Sequence, residues 1–443
     1  MGNSQSDTRS RFSHKQPLPK HLRPLTPKKQ GKLKKGTPVP SKEQPEEEFL
    51  FRHILPQSQQ DVEFIGSGPR GAFQWLKGRR YMNHESHSIL PNDSIELDRA
   101  RVQSFILRWV YGGDIIAPLQ EQLEQGIQVL NVGSGPGMWV GHHMIDLALD
   151  YRQSQFVAVD VCDLLPDDFE LEGEHLETST CISTHLGFTP IHPNLSSKLQ
   201  DRAAPLLTSF TESLLSGSTT TSVSLEEQHK ESTNFVPSRR SLFKNLEFHQ
   251  VNVKKEKLPF PDNQFDVVKQ RLSTASLTKE HWKTILLEMI RVTKPGGYIE
   301  LLEIDHSTRD LGPKAKQLES EMIEATRKVN YEPRMAIYLE DLLKAAGLAE
   351  VTTKSVSIPL GEWGLDLGIL WKHNMEGFAD STSPLLSKML GLSVAEYNER
   401  WRDFLQECKD LKPFTNTHAA WARKPDNYTG NVDWTLCPPF NNK

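Results

Sequence analysis

Three features of one stretch, Gln128 to Pro166, predict an α/β fold. A short apolar run, Val129 to Val132, breaks into the glycine loop Gly133-Ser134-Gly135-Pro136-Gly137. A helix-length segment follows, and a second apolar run, Phe156 to Val159, ends in Asp160. Strand, glycine loop, helix, strand and terminal carboxylate each have a physical use. Glycines let the backbone turn sharply and lie against a ligand with no Cβ in the way, and the helix that follows offers free N–H groups. A carboxylate closing the second strand can accept hydrogen bonds from both hydroxyls of a ribose; the alternative for Asp160 is a strand-end turn. Glycine-rich turns of this kind also serve dinucleotides, but this loop is GxGPG rather than GxGxxG. Pro136 removes one N–H donor and stiffens the turn, which suits a ligand with no pyrophosphate to cradle.

In these residues the chain resembles class I S-adenosylmethionine (SAM) dependent methyltransferases. The likeness continues in GRRYMNHESHSILPNDSIELDRARVQSFILRW upstream, and in LEFHQVNVKKEKLPFPDNQFDVV, RVTKPGGYIELLEID and IPLGEWG downstream. Together these are similar to a family of fungal SAM-dependent methyltransferases that includes regulators of secondary metabolism, and they cover roughly Gly78 to Pro425 with one large interruption. The resemblance implies a Rossmann-like fold: a mixed seven-stranded sheet, an antiparallel edge strand and a helical cap insert. It implies SAM as cofactor, held by Asn131, Gly133, Ser134, Gly135, Gly137 and Asp160, with Asn252 and Val253 at the adenine and Gln270 beside the methyl group. One position departs from the family. Two residues before the first glycine the family usually carries Asp or Glu, and here stands Asn131. Asn keeps a hydrogen bond to the cofactor's ammonium but not the charge attraction. The implied activity is methyl transfer to an unidentified small-molecule or protein acceptor. The alternative is a catalytically weak or inactive SAM-binding scaffold or nuclear regulatory protein.

At 443 residues, 37% hydrophobic and 25% charged, the chain can hold one large core plus dispensable segments. Four scattered cysteines with no CxxC pair give neither a zinc spacing nor a disulfide framework, so no metal is expected and a reducing compartment is. No stretch approaches the roughly 18 apolar residues of a membrane span, and no signal-peptide core opens the chain.

Residues 1–75 read as a disordered basic segment. Up to Lys42 the only acidic residue is Asp7, against Arg9, Arg11, Lys15, Lys20 and the run Lys28 to Lys35. Met1-Gly2-Asn3-Ser4-Gln5-Ser6 matches the pattern for N-myristoylation at Gly2. One acyl chain binds membranes only marginally and requires a second signal, which the basic run supplies toward an anionic membrane surface. The expected location is therefore cytoplasmic and peripheral to a membrane. The alternative is nuclear, with KKQGKLKK as an import signal or a solvated tail; no specific nucleic-acid motif is present.

The methyltransferase domain is expected over residues 76–425. Pro91-Asn92-Asp93-Ser94 is a turn and cap before a helix with Val102, Phe105, Ile106, Trp109 and Val110 at helical spacing. By resemblance Tyr81 lies near the methionine end of the cofactor; otherwise it is a buried aromatic with its hydroxyl satisfied. The core, 126–305, is interrupted at about 167–245 by a Ser/Thr-rich segment read as a disordered loop, with one transient helix near Pro205 to Leu215.

Strands resume at Leu246 to Val253 and Phe265 to Val268, and Lys269 and Arg271 emerge after the second as substrate contacts or solvated charges. Trp282, Ile285, Leu286, Met289 and Ile290 mark a helix stopped by Lys294-Pro295-Gly296-Gly297, then Tyr298 to Asp305 a strand. Glu303 and Asp305 at its end face the region where open α/β sheets bind ligands. A helix ending at Gly347 and a strand from Glu350 to Pro359 follow. The cap is expected over about 361–411, with Ser393 and Glu396 as a capping box, before a last antiparallel strand, Thr417 to Arg423. Its aromatics, Trp363, Trp371 and Phe378, either pack the roof or meet an apolar substrate. The tail, 426–443, is short, polar and carries no signal. Spacing does not choose a general base among the sixteen histidines, so no catalytic residue is assigned.

Overall fold

Alternation along the apolar runs puts successive side chains on opposite sheet faces, so a sheet whose strands alternate Val129 with Leu130, or Val267 with Val268, must be covered on both faces. The computed structural model describes residues 73–83, 88–135, 143–162 and 239–441. A hairpin of β1 (Phe73–Leu76) and β2 (Arg79–Met82) precedes α1 (Ser94–Tyr111), α2 (Gln120–Gln125) and β3 (Gln128–Val132). Then come α3 (His143–Asp150), β4 (Gln155–Asp160), β5 (Arg239–Phe243), β6 (Leu246–Gln250) and β7 (Phe265–Arg271). After α4 (Lys279–Val292) and β8 (Thr293–Ile304) follow α5 (Pro313–Lys328), α6 (Leu339–Ala345) and β9 (Ala349–Pro359). Two cap helices, α7 (Leu365–Leu390) and α8 (Val394–Asp410), lead to β10 (Phe414–Arg423).

The main sheet has the order β5-β6-β4-β3-β7-β8-β10-β9. The expected mixed seven-stranded core runs from β6 to β9, with β6, β4, β3, β7 and β8 mutually parallel. The antiparallel strand β10 sits one place in from the rim, pairing β8 on one side and β9 on the other, because β9 completes the edge outside it. An eighth strand comes from the end of the segment expected to be a loop: β5 folds back antiparallel on β6. The Ser/Thr-rich interruption therefore closes by Arg239 rather than near residue 245. The sheet supplies a pairing edge that composition does not reveal.

One face packs Leu130, Val268 and Ile299 against α4 and α6; the other packs Val129, Phe156 and Phe248 against α3. A third cluster joins α1, the ends of β8 and β9, α5 and the cap through Ile106, Leu302, Leu318, Trp371 and Trp401. Helix α4 buries Trp282, Ile285, Leu286, Met289 and Ile290. Ser393 and Glu396 form the capping box of α8. On α1, Asp93 caps the first turn while Val102, Ile106 and Leu107 are buried; Trp109 turns to the surface, 51% exposed, so the apolar stripe is narrower than its spacing suggests.

The tail is part of the core. Cys437 is fully buried, Phe440 is nearly so, and the Tyr428 hydroxyl donates to the Ala346 carbonyl at 2.9 Å. Gly2, the basic run, Gly137, Cys181 and the Pro205 to Leu215 patch lie outside the described residues. Among the described residues no helix is long and apolar enough to cross a membrane.

Candidate active site

Chain order reverses across β3, since the chain proceeds from β3 to β4 and β6 on one side and returns to β7 on the other. The crevice outside the carboxyl ends at such a reversal is where open α/β sheets place ligands. Eight of the nine residues named from the sequence as cofactor contacts reach this edge. Gly133 and Gly135 take left-handed φ angles of +66° and +53°, which turns the chain back at the end of β3. Among the described residues a Cβ built on Gly133 would meet only Ser273 Oγ, at 4.0 Å. The Gly135 N–H donates to Asp160 Oδ2 at 2.6 Å, and the Ser134 N–H donates to the Val159 carbonyl. These bonds join the loop to the end of β4.

Burial pushes the Asp160 carboxyl up, while N–H groups of Gly135, Cys162 and Val161 hold it down. Burial lowers the nearby Lys254 ammonium to about 8, opposed by the charge of Asp160. Asn131 and Ser134 are buried, and Asn131 Oδ1 and Ser134 Oγ have no hydrogen-bond partner among the described residues. Unpaired buried polar atoms are costly. Gln270, also buried, pairs in register with Val132 on the other side of the loop. Beyond β6, the Val251 N–H donates to the Asp160 carbonyl at 2.7 Å, bringing the following turn to the same edge. In that turn Asn252 Oδ1 accepts from the Lys254 N–H, and the Val253 N–H donates to Val251.

Beside this crevice lies a second space, and one carboxylate connects them. Glu303, at the end of β8, accepts from the N–H groups of Ser273 and Thr274 and from the Thr274 hydroxyl at 2.7 to 3.1 Å. The clamped turn presents Ser273 to Gly133 on one side. On the other, Thr274 and Ala275 form the wall of a half-open pocket. Ile89, Met322, Phe378 and Leu386 make the pocket largely apolar, and His306, Glu319 and Tyr331 are its ionisable members. An adjoining pocket under the cap shares His306, Glu319, Met322 and Phe378 and adds Trp371 and Trp401. Burial lowers the His306 imidazole to about 4 and raises the Glu319 carboxyl to about 7. The His306 ring stacks on Phe378, with centroids 5.5 Å apart and planes at 26°.

Comparisons with known proteins bear on the domain rather than on these contacts. A family model described as a methyltransferase domain matches residues 208–301, a span that takes in β5 to β7 and most of β8 and begins downstream of the glycine loop. The N-methyltransferase gliN of Aspergillus fumigatus is 25% identical over 195 residues, covering 41% of this chain and 68% of that protein. UbiE of Pseudomonas putida, a ubiquinone/menaquinone biosynthesis C-methyltransferase, is 41% identical over 76 residues. That match covers 17% of this chain and 28% of UbiE. The chain carries a methyltransferase domain. Among solved structures, a phosphoethanolamine N-methyltransferase of Haemonchus contortus overlaps with a TM-score of 0.33 and 13% identity, covering 73% of this chain and 57% of that one. So low a TM-score carries no argument, and the fold rests on the strand order itself.

Several residues of the methyltransferase domain that sequence placed beside a substrate have other work. Lys269 is fully buried, its Nζ donating to the Asp114 carbonyl and lying 3.5 Å from Glu300; Arg271 bonds Ser104 Oγ at 2.6 Å. These side chains point beneath α1, on the sheet face opposite Gln270, so they are neither solvated nor at the crevice. Asp305 is held by Arg334 through two bonds of 2.9 and 3.0 Å. Tyr81 is fully buried and its hydroxyl donates to the Ser381 carbonyl. Of the cap aromatics, Trp371 is buried with its N–H on Thr415 Oγ1, Trp363 lies at the surface, and Phe378 lines the pocket. The pair that spacing passed over is His306 and Glu319. Position was the available signal for His306, which directly follows Asp305 at the carboxyl end of β8.

Proposed function

We propose that this chain transfers the methyl group of SAM to an acceptor bound in the pocket between the Ser273–Ala275 turn, α5 and α7. One observation carries the reading: the turn that faces Gly133 of the loop also walls the pocket, so the two spaces share a boundary. SAM supplies a methyl group already activated on a sulfonium, so the protein must align the acceptor and exclude water. In this reading Asp160 accepts from the ribose hydroxyls, and the unpaired Asn131 Oδ1 and Ser134 Oγ gain partners on the cofactor. Asn252 and Val253 border the adenine, and Gln270 borders the methionine end. Gly137 belongs to the same loop by sequence. Glu303 is a positioning residue that fixes the shared turn.

Calorimetric titration of S-adenosylhomocysteine into wild type and Asp160→Ala, with NAD as control, tests the cofactor half. The expected result is saturable binding to wild type, at least tenfold weaker in the variant, and none for NAD. A second reading, a SAM-binding scaffold with poor turnover, draws on Asn131 standing where a carboxylate would hold the cofactor's ammonium. Cofactor binding without methyl transfer to any component of a cell extract would favour it.

For location, the reading is a peripheral anchor: acylation at Gly2 acting with the basic run on an anionic membrane surface. A Gly2→Ala variant that leaves the membrane for the cytosol supports the anchor, whereas an unchanged nuclear signal supports the nuclear alternative.

A further inference from the structure

The acceptor's chemistry can be read from the pocket wall, on the premise that the methyl-transfer reading holds. The wall is apolar over Ile89, Met322, Phe378 and Leu386, and His306 and Phe378 offer a flat, nearly parallel pair of rings. Such a surface selects a planar apolar body. Among the described residues no hydrogen bond is made by the His306 ring, although its backbone N–H donates to the Pro333 carbonyl. The charged groups around that ring are already engaged. Asp305 is paired with Arg334, Arg99 with Glu96, and Glu319 accepts from the Thr308 N–H at 2.6 Å. The ring therefore has a free hydrogen-bonding edge in a space that disfavours charge of either sign. It stays neutral there, and Glu319 resists ionising for the same reason.

We propose that the pocket takes a neutral, flat, largely apolar acceptor bearing one acidic hydroxyl, a phenol or enol, and that His306 receives its proton during transfer. The step balances. As the acceptor oxygen forms its bond to the methyl carbon, the carbon–sulfur bond of SAM breaks and its electron pair stays on sulfur. The hydroxyl proton moves to the unprotonated ring nitrogen of His306. The products are a methyl ether and S-adenosylhomocysteine, and the new imidazolium lies near the carboxyl groups of Asp305 and Glu319 before it returns its proton to water.

The probe is 1-naphthol, titrated calorimetrically into the full chain saturated with S-adenosylhomocysteine, beside 1-naphthoate and 1-naphthylmethylammonium as charged counterparts. Naphthol should bind at least tenfold more tightly than either. His306→Phe should weaken naphthol about tenfold, and His306→Gln, whose amide oxygen still accepts a hydrogen bond, should hold within about threefold. With SAM in place of the product, wild type should form 1-methoxynaphthalene, and His306→Gln should bind naphthol yet form the ether at least a hundredfold more slowly. A charged probe that binds as well as naphthol, unchanged binding in His306→Phe, or no ether from bound naphthol would overturn the proposal. S-adenosylhomocysteine affinity, measured on the same proteins, separates the two levels. If it is absent from folded wild type, the methyl-transfer reading itself fails. If it is retained while naphthol is not bound, only the acceptor assignment does.

Discussion

At the scale of single residues, burial decides which carboxylates hold protons near neutral pH. Burial outweighs the bonds that Glu319 makes to the N–H and side chain of Thr308, so its carboxyl rises from 4.5 to about 7. A folded-state pKa above the unfolded one means that the folded chain holds an extra proton between those values. Stability from this group is therefore present below about pH 4.5, falls as pH rises toward 7, and is fully lost above it, by at most about 3 kcal/mol. Glu319→Gln keeps an oxygen for Thr308 and cannot titrate. Urea unfolding at pH 5 and pH 8 should show a smaller fall in stability for the variant than for wild type, with the variant the more stable at pH 8. Equal slopes would mean that the Glu319 carboxyl titrates in its ordinary range.

At the scale of elements, what could be read from the sequence was whatever a short window determines. The α4 stripe, the Ser393 capping box and the glycine loop each state their geometry within about a dozen residues, and the strands around them alternate as a two-sided sheet requires. What could not be read depends on partners distant along the chain. Lys269 looks like a surface lysine until Asp114 and Glu300 enclose it, and β5 becomes a strand only because β6 offers an edge. His306 is one of sixteen histidines until α5 and α7 close around it. The tail is the sharpest case, its few apolar residues being too sparse to signal packing. Phe440 nevertheless sits 5.6 Å from Trp434, beneath the Lys283 ammonium at 4.7 Å. Phe440→Ala should cost about 3 kcal/mol in urea unfolding, from lost burial and the cavity left behind. A change under about 0.5 kcal/mol would return the tail to the role of a surface appendage.

At the scale of the whole molecule, the cap is tied to the amino-terminal hairpin by buried charge across some 300 residues of sequence. Arg79 of β2 binds Asp93 at the start of α1 and Asp380 of α7, while Arg99 of α1 binds Glu96 and Asn374 of α7. Ser381 bridges both halves by donating to Glu96 and accepting from Arg79. Two guanidinium groups thus face three carboxyl groups, and burial, joined by the charges of Asp93 and Glu96, pushes Asp380 up. The charge count makes the two partners of one ion pair unequal. Asp380→Asn removes the surplus carboxylate and keeps an oxygen for Arg79, so at pH 7.5 it should change stability by less than about 1 kcal/mol. Arg79→Met leaves Asp93 and Asp380 buried without their cation and should cost about 3 to 5 kcal/mol. Hydrogen exchange should then show α7 and the first turns of α1 opening while β3, β4 and β7 stay protected, because those three strands are packed by α3, α4 and α6 rather than by the cap. If both substitutions cost the same, the pair acts as an ordinary symmetric ion pair and the surplus carboxylate is shielded by solvent. If the sheet opens together with α7, the cap is part of one cooperative unit, and the pocket it roofs cannot loosen without unfolding the cofactor edge as well.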